Sequence, residues 1–134
     1  MRVLQLDHLV LTVADISRTV DFYTRLLGMT VQRFGEGRTA LHFGEQKLNL
    51  HPVDRVLDPN VRHATPGSAD LCFIVDDPIE SWIAHLEQAG VPVIVGPVVR
   101  TGARGPIRSI YLYDPDENLI ELSNRVDAES TTRR

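Results

Sequence analysis

Five side chains that can bind a metal or move a proton sit in short runs whose other members are mostly apolar: His8, Asn49, His51, Asp70 and Glu121. Strand alternation puts His8 with Val10 and Thr12, Asp70 with Cys72 and Ile74, and Glu121 with Leu119 and Ser123. The opposite faces carry Leu9, Leu11, Leu71, Phe73, Ile120 and Leu122, as expected of the side that meets helices. A carboxylate buried in such company is costly unless it is paired, hydrogen-bonded or bound to a cation. Two carboxylates and two imidazoles at equivalent points of a repeated fold offset one another best by sharing a metal. A single cysteine, Cys72, excludes an internal disulfide and a cysteine-rich zinc site. The donors are then nitrogen and oxygen, which suits one divalent ion of Zn, Mn, Fe, Co or Ni. Cys72 itself reads as a small buried hydrophobe on a central strand.

The elements that must hold these groups follow from periodicity. Leu6 to Val13 alternates as a strand, Asp15 is placed to cap a helix, and Ile16, Val20, Tyr23, Leu26 and Leu27 form a helical stripe closed by Gly28. Short strands follow at Met29 to Phe34, Thr39 to Phe43 and Lys47 to His51, separated by glycine turns. After an aperiodic stretch from Pro52 to Ser68, the order recurs: a strand from Asp70 to Val75, a helix from Ile79 to Ala89, and strands at Pro92 to Val95, Ile107 to Tyr113 and Asn118 to Ser123. His8 to Asp15 aligns with Asp70 to Asp77 at an offset of 62 residues, which Gly28 and Gly90 share. The expected fold class is α+β. One domain holds two βαβββ modules over residues 4–52 and 69–124, a linker loop over 53–68 and a frayed polar tail over 125–134.

Arg62, His63, Arg100, Arg104 and Arg108 fall in or beside the two irregular stretches, where they would rim a pocket. A small anionic substrate suits them, since guanidinium grips carboxylates and phosphonates bidentately. The glycine-rich piece Thr101 to Pro106 lacks a strand-to-helix context and reads as a mobile lid loop. Tyr111 and Tyr113 are accounted for by packing. The net charge of −4, from 14 basic and 18 acidic residues well interspersed, gives no basic stripe for nucleic acid. No apolar run is long enough to span a bilayer, and the first residues carry no signal-peptide core, so no membrane is expected and the location is expected to be cytoplasmic.

Leu6-Asp7-His8-Leu9-Val10-Leu11-Thr12-Val13, Asp21-Phe22-Tyr23 through Leu26-Leu27-Gly28-Met29, and Tyr113-Asp114-Pro115-Asp116-Glu117-Asn118-Leu119-Ile120-Glu121-Leu122 resemble the vicinal-oxygen-chelate superfamily. This is the superfamily of glyoxalases, fosfomycin-resistance proteins and extradiol dioxygenases. Gln46 to His51, Thr65 to Ser68 with Asp70 to Cys72, and Arg100 to Ala103 with Gly105 to Ile107 resemble more narrowly the subgroup of glyoxalase-domain-containing protein 5 and its bacterial virulence-protein relatives. The resemblance implies that the two modules form a curved mixed sheet around a metal-binding pocket, often paired across a homodimer. It implies ligands at His8 and Glu121, with Glu121 also able to shuttle a proton. Asp70 stands where glyoxalases usually carry histidine. At the fourth position, strand alignment favours Asn49 and ligand chemistry favours His51. Asn49, His63 and Arg104 are the expected substrate contacts. The implied function is a divalent-metal-dependent enzyme acting on a small oxygen-rich, anionic substrate by stabilising an oxyanion. The alternative is a metal-free, drug-binding protein of the bleomycin-resistance type.

Overall fold

Strand β1 (His8–Val13) buries Leu11 and Val13 on one side and leaves His8 exposed on the other, the parity its alternation dictates. Asp15 then caps helix α1 (Ile16–Asp21): its backbone is extended (φ −145°) and its carboxylate accepts from Arg18 N at 2.9 Å. The single helix expected up to Gly28 does not persist. From Phe22 to Leu26 the chain widens into a π-helical segment. There the Thr24 hydroxyl donates to the Val20 carbonyl at 2.7 Å, competing with the regular ladder. Phe22, Tyr23 and Leu26 are all buried in this segment.

In the computed structural model, residues 1–127 are described, and the chain divides into two units. The first comprises Met1–Ala69 with Asp114–Asn118. Its sheet has the order β1-β4-β3-β2, with β2 (Thr30–Phe34), β3 (Arg38–Phe43) and β4 (Gln46–Pro52). β1 runs parallel to β4 and the other neighbours are antiparallel. Leu41, Leu48 and Leu50 are almost fully buried on the face that also holds Leu11 and Val13, each contributing roughly 1.5–3 kcal/mol by leaving water.

The segment Asp114–Asn118 is tied to this unit by a side-chain network. Asp114 Oδ2 accepts from the Tyr23 hydroxyl at 2.7 Å and from Asn118 Nδ2 at 2.9 Å, while Asn118 Oδ1 accepts from Ala69 N. Burial, then the neighbouring Asp114 carboxylate, pushes the Tyr23 phenol far above its ordinary range, so it remains a donor. Gly67, at φ +81°, passes so close to this segment that a Cβ would lie 2.5 Å from the Asp116 carbonyl oxygen.

The second unit holds Asp70–Tyr113 and, of the described residues, the chain from Leu119 to Asp127. Its sheet has the order β5-β8-β7-β6, with β5 (Asp70–Ile74), β6 (Val95–Gly102), β7 (Gly105–Tyr113) and β8 (Leu119–Arg125). β5 and β8 are parallel, as β1 and β4 are in the first unit. Helix α2 (Ile79–Gln88) packs across β7 and β8 through Ile79 and Leu86, against Ile110, Leu112, Ile120 and Leu122. Asn124 of β8 caps it, accepting from Ile79 N at 2.8 Å.

Three expectations for this unit are corrected. The strand expected at Pro92 to Val95 instead begins at Val95 and runs to Gly102, because Gly96-Pro97 is a register shift within the strand rather than its end. A side chain at Gly96 would collide with the Ser109 carbonyl, so the close strand approach requires glycine. The stretch Thr101 to Pro106 is the tip of the β6–β7 hairpin, with Gly102 paired to Gly105, and its Thr101, Gly102 and Ala103 line a cavity of this unit. Arg108 turns to the helix side, where it pairs with Glu80, and so leaves the pocket rim. β8 continues through Arg125, which is in register with Ile107. Residues 128–134 of the expected tail lie outside the described residues. Among the described residues no helix is long and apolar enough to cross a membrane.

Candidate functional site

The face of the second sheet turned away from α2 is built in three rows read from strand register. Cys72, Glu121 and Tyr111 lie side by side on β5, β8 and β7. Ile74, Ser123 and Ser109 form the next row, and Arg125, Ile107 and Arg100 the third, on β8, β7 and β6. A cavity of about 420 Å³ opens over this floor, lined by Cys72, Ile74, Tyr111, Glu121 and both third-row arginines among others. Its walls mix apolar surface with few polar groups, the usual make-up of a small-molecule site.

Glu121 is half-buried, and its Oε2 atom is sealed from solvent without a hydrogen-bond partner. A carboxylate oxygen only accepts, so this atom calls for a cation or a donor from outside the chain. Cys72 is exposed on this face, correcting the expected buried hydrophobe. The reason is that β5 is an edge strand whose Asp70, Cys72 and Ile74 side meets no helix. Partial desolvation raises the thiol's pKa. The Ser123 hydroxyl 3.3 Å away opposes that shift, and the Glu121 and Asp70 charges add to it. Cys72 is therefore held as the thiol, which argues against a nucleophilic role. Ser123 and Ser109 share a hydrogen bond of 2.7 Å and are both fully buried between the ends of the floor.

The corresponding face of the first unit is polar but carries no carboxylate. Asn49 lies between Val10 and Ala40, and His51 is in register with Thr12. Asn49 is 6% and His51 4% exposed, yet Asn49 Oδ1 and His51 Nδ1 have no partner. Arg38 Nη2 lies 3.4 Å from His51 Nε2. A guanidinium can only donate, so Nε2 accepts and Nδ1 carries the proton. His8 is exposed, with Nδ1 2.8 Å from the Asp7 carboxylate, and is in register with Lys47. A second cavity of this unit, about 320 Å³, is lined by Val10, Thr12, Arg62 and His63. Arg104 stands exposed at the hairpin tip and does not line the cavity of the second unit.

The expected ligands thus divide evenly, His8 and His51 in the first unit and Asp70 and Glu121 in the second. Among the described residues no group of three or more His, Cys, Asp or Glu side chains is placed to hold a metal ion. Register does decide one ambiguity: Asn49, paired with Val10, occupies the position that Glu121, paired with Cys72, occupies in the other unit. His51 matches Ser123. Two floor residues escaped the sequence reading. By sequence alone Tyr111 is accounted for by packing, and Arg125 falls in the polar tail. Their signal was parity with Glu121, two strands of alternation that single-strand inspection does not join.

The glyoxalase/bleomycin resistance protein/dioxygenase family model matches residues 5–122. The chain belongs to this superfamily. Glyoxalase domain-containing protein RDO1 of Mycosarcoma maydis is 54% identical over 129 residues, covering 96% of this chain and 73% of that protein. Virulence protein STM3117 of Salmonella typhimurium is 52% identical over 122 residues, covering 91% of this chain and 85% of that protein. The crystal structure of STM3117 superposes with a TM-score of 0.91 over 94% of this chain and 100% of that one, at 51% identity. Metallothiol transferase FosB of Staphylococcus epidermidis is 24% identical over 123 residues, covering 91% of this chain and 82% of that protein. The paired βαβββ modules expected from the sequence are those of the superfamily fold.

Proposed function

We propose that this superfamily member is a divalent-metal-dependent enzyme acting on a small, oxygen-rich substrate bound over the second unit's sheet. The observation that carries this reading is the Oε2 atom of Glu121, buried and without a partner in the floor of a cavity. Leaving such an acceptor unmet costs about 1–3 kcal/mol, more for a charged group, and a bound cation removes that cost. Glu121 would hold the ion, with Asp70 of the same unit as a further oxygen donor. The name of the metallothiol transferase relative is in keeping with a metal. His51, whose Nε2 faces Arg38, is better suited to hydrogen bonding than to ligation. When bound, the ion supplies Lewis acidity to adjacent substrate oxygens.

The chain's own groups define the rest of the chemistry. Glu121 can also take a proton from a substrate carbon or oxygen and return it, through whichever carboxylate oxygen does not meet the ion. The Ser123–Ser109 pair keeps the centre of the floor polar without adding charge. Ile107, buried in the floor, gives it an apolar surface beside the third-row arginines.

The test is metal content of the purified chain and of Glu121→Gln and Asp70→Asn, before and after dialysis against chelator. About one ion per chain, lost in both variants, supports the reading. No ion in the wild-type chain after reconstitution with Zn, Mn, Fe, Co or Ni moves the protein to a metal-free binder.

A further inference from the structure

The third row of the second unit's floor has no part in holding a metal, yet it is the most cationic point of the cavity. Arg100 of β6 and Arg125 of β8 flank Ile107 of β7 in direct register and both line the cavity. Neighbouring strands are about 4.8 Å apart, so the two Cα atoms stand roughly 10 Å from each other. That span lets two long guanidinium side chains meet over one group seated on Ile107. Arg100 does not swing freely: its Nε donates to the Tyr111 hydroxyl at 3.1 Å, and the guanidinium sits 5.6 Å from the centre of the Tyr111 ring. Among the described residues neither arginine forms a salt bridge, in contrast to Arg108 one strand-face away, which is satisfied by Glu80.

Glu121 and Arg125 are four residues apart on β8 and share its face, a separation of roughly 13 Å at about 3.3 Å per residue. The floor therefore has an acidic end and a dibasic end, with buried hydroxyls and isoleucines between them. With no cation on Glu121, an anion is repelled at that end and attracted at the other, which gives a ligand one favourable orientation.

We infer that Arg100 and Arg125 form an oxyanion subsite that fixes the tail of an elongated substrate, a carboxylate or phosphonate on a short apolar body. Tyr111 is a positioning residue that aims Arg100. This rests on the cavity being the substrate site, but not on a metal being bound. The apolar body lies over Ile74 and Ile107, beside the Cys72 thiol, which leans toward Ser123 in the middle row. Cys72 is the only cysteine of the chain, so its modification reports occupancy of the floor without any assay of turnover.

The test is the rate of Cys72 alkylation by a neutral reagent, in metal-loaded and chelator-stripped protein, with octanoate, octylphosphonate, octanol or octylamine added. Saturable protection by both anions, and none by the alcohol or the amine, is expected. Arg100→Met and Arg125→Met should each weaken protection roughly tenfold, as loss of one charge-assisted contact implies. Tyr111→Phe should weaken it by less, and Arg104→Met should leave it unchanged. Protection by only one anion would assign the subsite to that head group. No protection by either anion, equal protection by octanol, or indifference to both arginine substitutions would overturn the subsite. Protection with no metal ever bound sinks the Lewis-acid reading alone, and metal bound without protection sinks the subsite alone.

Discussion

The two sheets were built on one plan and spent differently. In the first unit the row Val10, Asn49, Ala40 crosses three strands; in the second, the matching row is Cys72, Glu121, Tyr111. Strand order, the parallel pair and the antiparallel returns are the same. What differs is charge and size. The first row is neutral, with a buried amide, while the second holds a carboxylate beside a thiol and a phenol. A duplicated scaffold can keep its packing face unchanged, because Leu48 and Leu50 answer to the same demand as Ile120 and Leu122. The opposite face is free to diverge, and chemistry collects on one copy.

Glu121→Gln should sharpen that contrast most. The substitution keeps the shape and removes the charge, and metal affinity or turnover should fall by about 100-fold or more, whereas Asn49→Asp should not create an equivalent loss. Metal titration of both variants checks this, and equal effects would erase the distinction between the units. Next in size is Gly67→Ala in the first unit, where a new Cβ would strike the Asp116 carbonyl in a left-handed backbone. A loss of about 2–4 kcal/mol in denaturant unfolding is expected. Tyr23→Phe should cost about 1–3 kcal/mol by taking one of the donors from buried Asp114, with no change in metal content, since the second unit's floor is untouched.

The smallest effect concerns pH. Cys72 has its thiol pKa raised by desolvation and by the Glu121 and Asp70 charges, against the Ser123 hydrogen bond. At a fixed pH near 8 less thiolate is present than in a free cysteine, so alkylation is slower and rises to its plateau at higher pH. Glu121→Gln removes one raising charge and should shift that profile to lower pH, speeding the reaction a fewfold at pH 8. A profile that moves upward, or not at all, would show that Glu121 does not act on the second unit's floor as a charge.

Much of this was legible without coordinates. Alternation in Leu6 to Val13 and in Asp70 to Val75 gave both faces of β1 and β5, since side-chain direction in a strand is a local property. Asp15 and Gly28 marked the helical region for equally local reasons, a side chain that caps and a backbone at φ +72°. Local signals failed where they were ambiguous. Gly96-Pro97 reads as a strand end in sequence and is a bulge within a strand, because Val98 and Val99 find partners in β7. Thr24 reads as part of an ordinary helix and sits in a π-helical segment, where its hydroxyl takes the Val20 carbonyl.

The residues themselves determined which side chains share a strand face, which positions turn, and the absence of sulfur-rich metal chemistry. Only the tertiary structure decided which strands lie side by side. That choice made Asn49 rather than His51 the counterpart of Glu121, turned Arg108 to Glu80, and brought Arg100, Ile107 and Arg125 into one row. Periodicity is written within each segment, whereas register depends on pairing between segments far apart in the chain, and a shift of one residue would send every one of these groups to the other face.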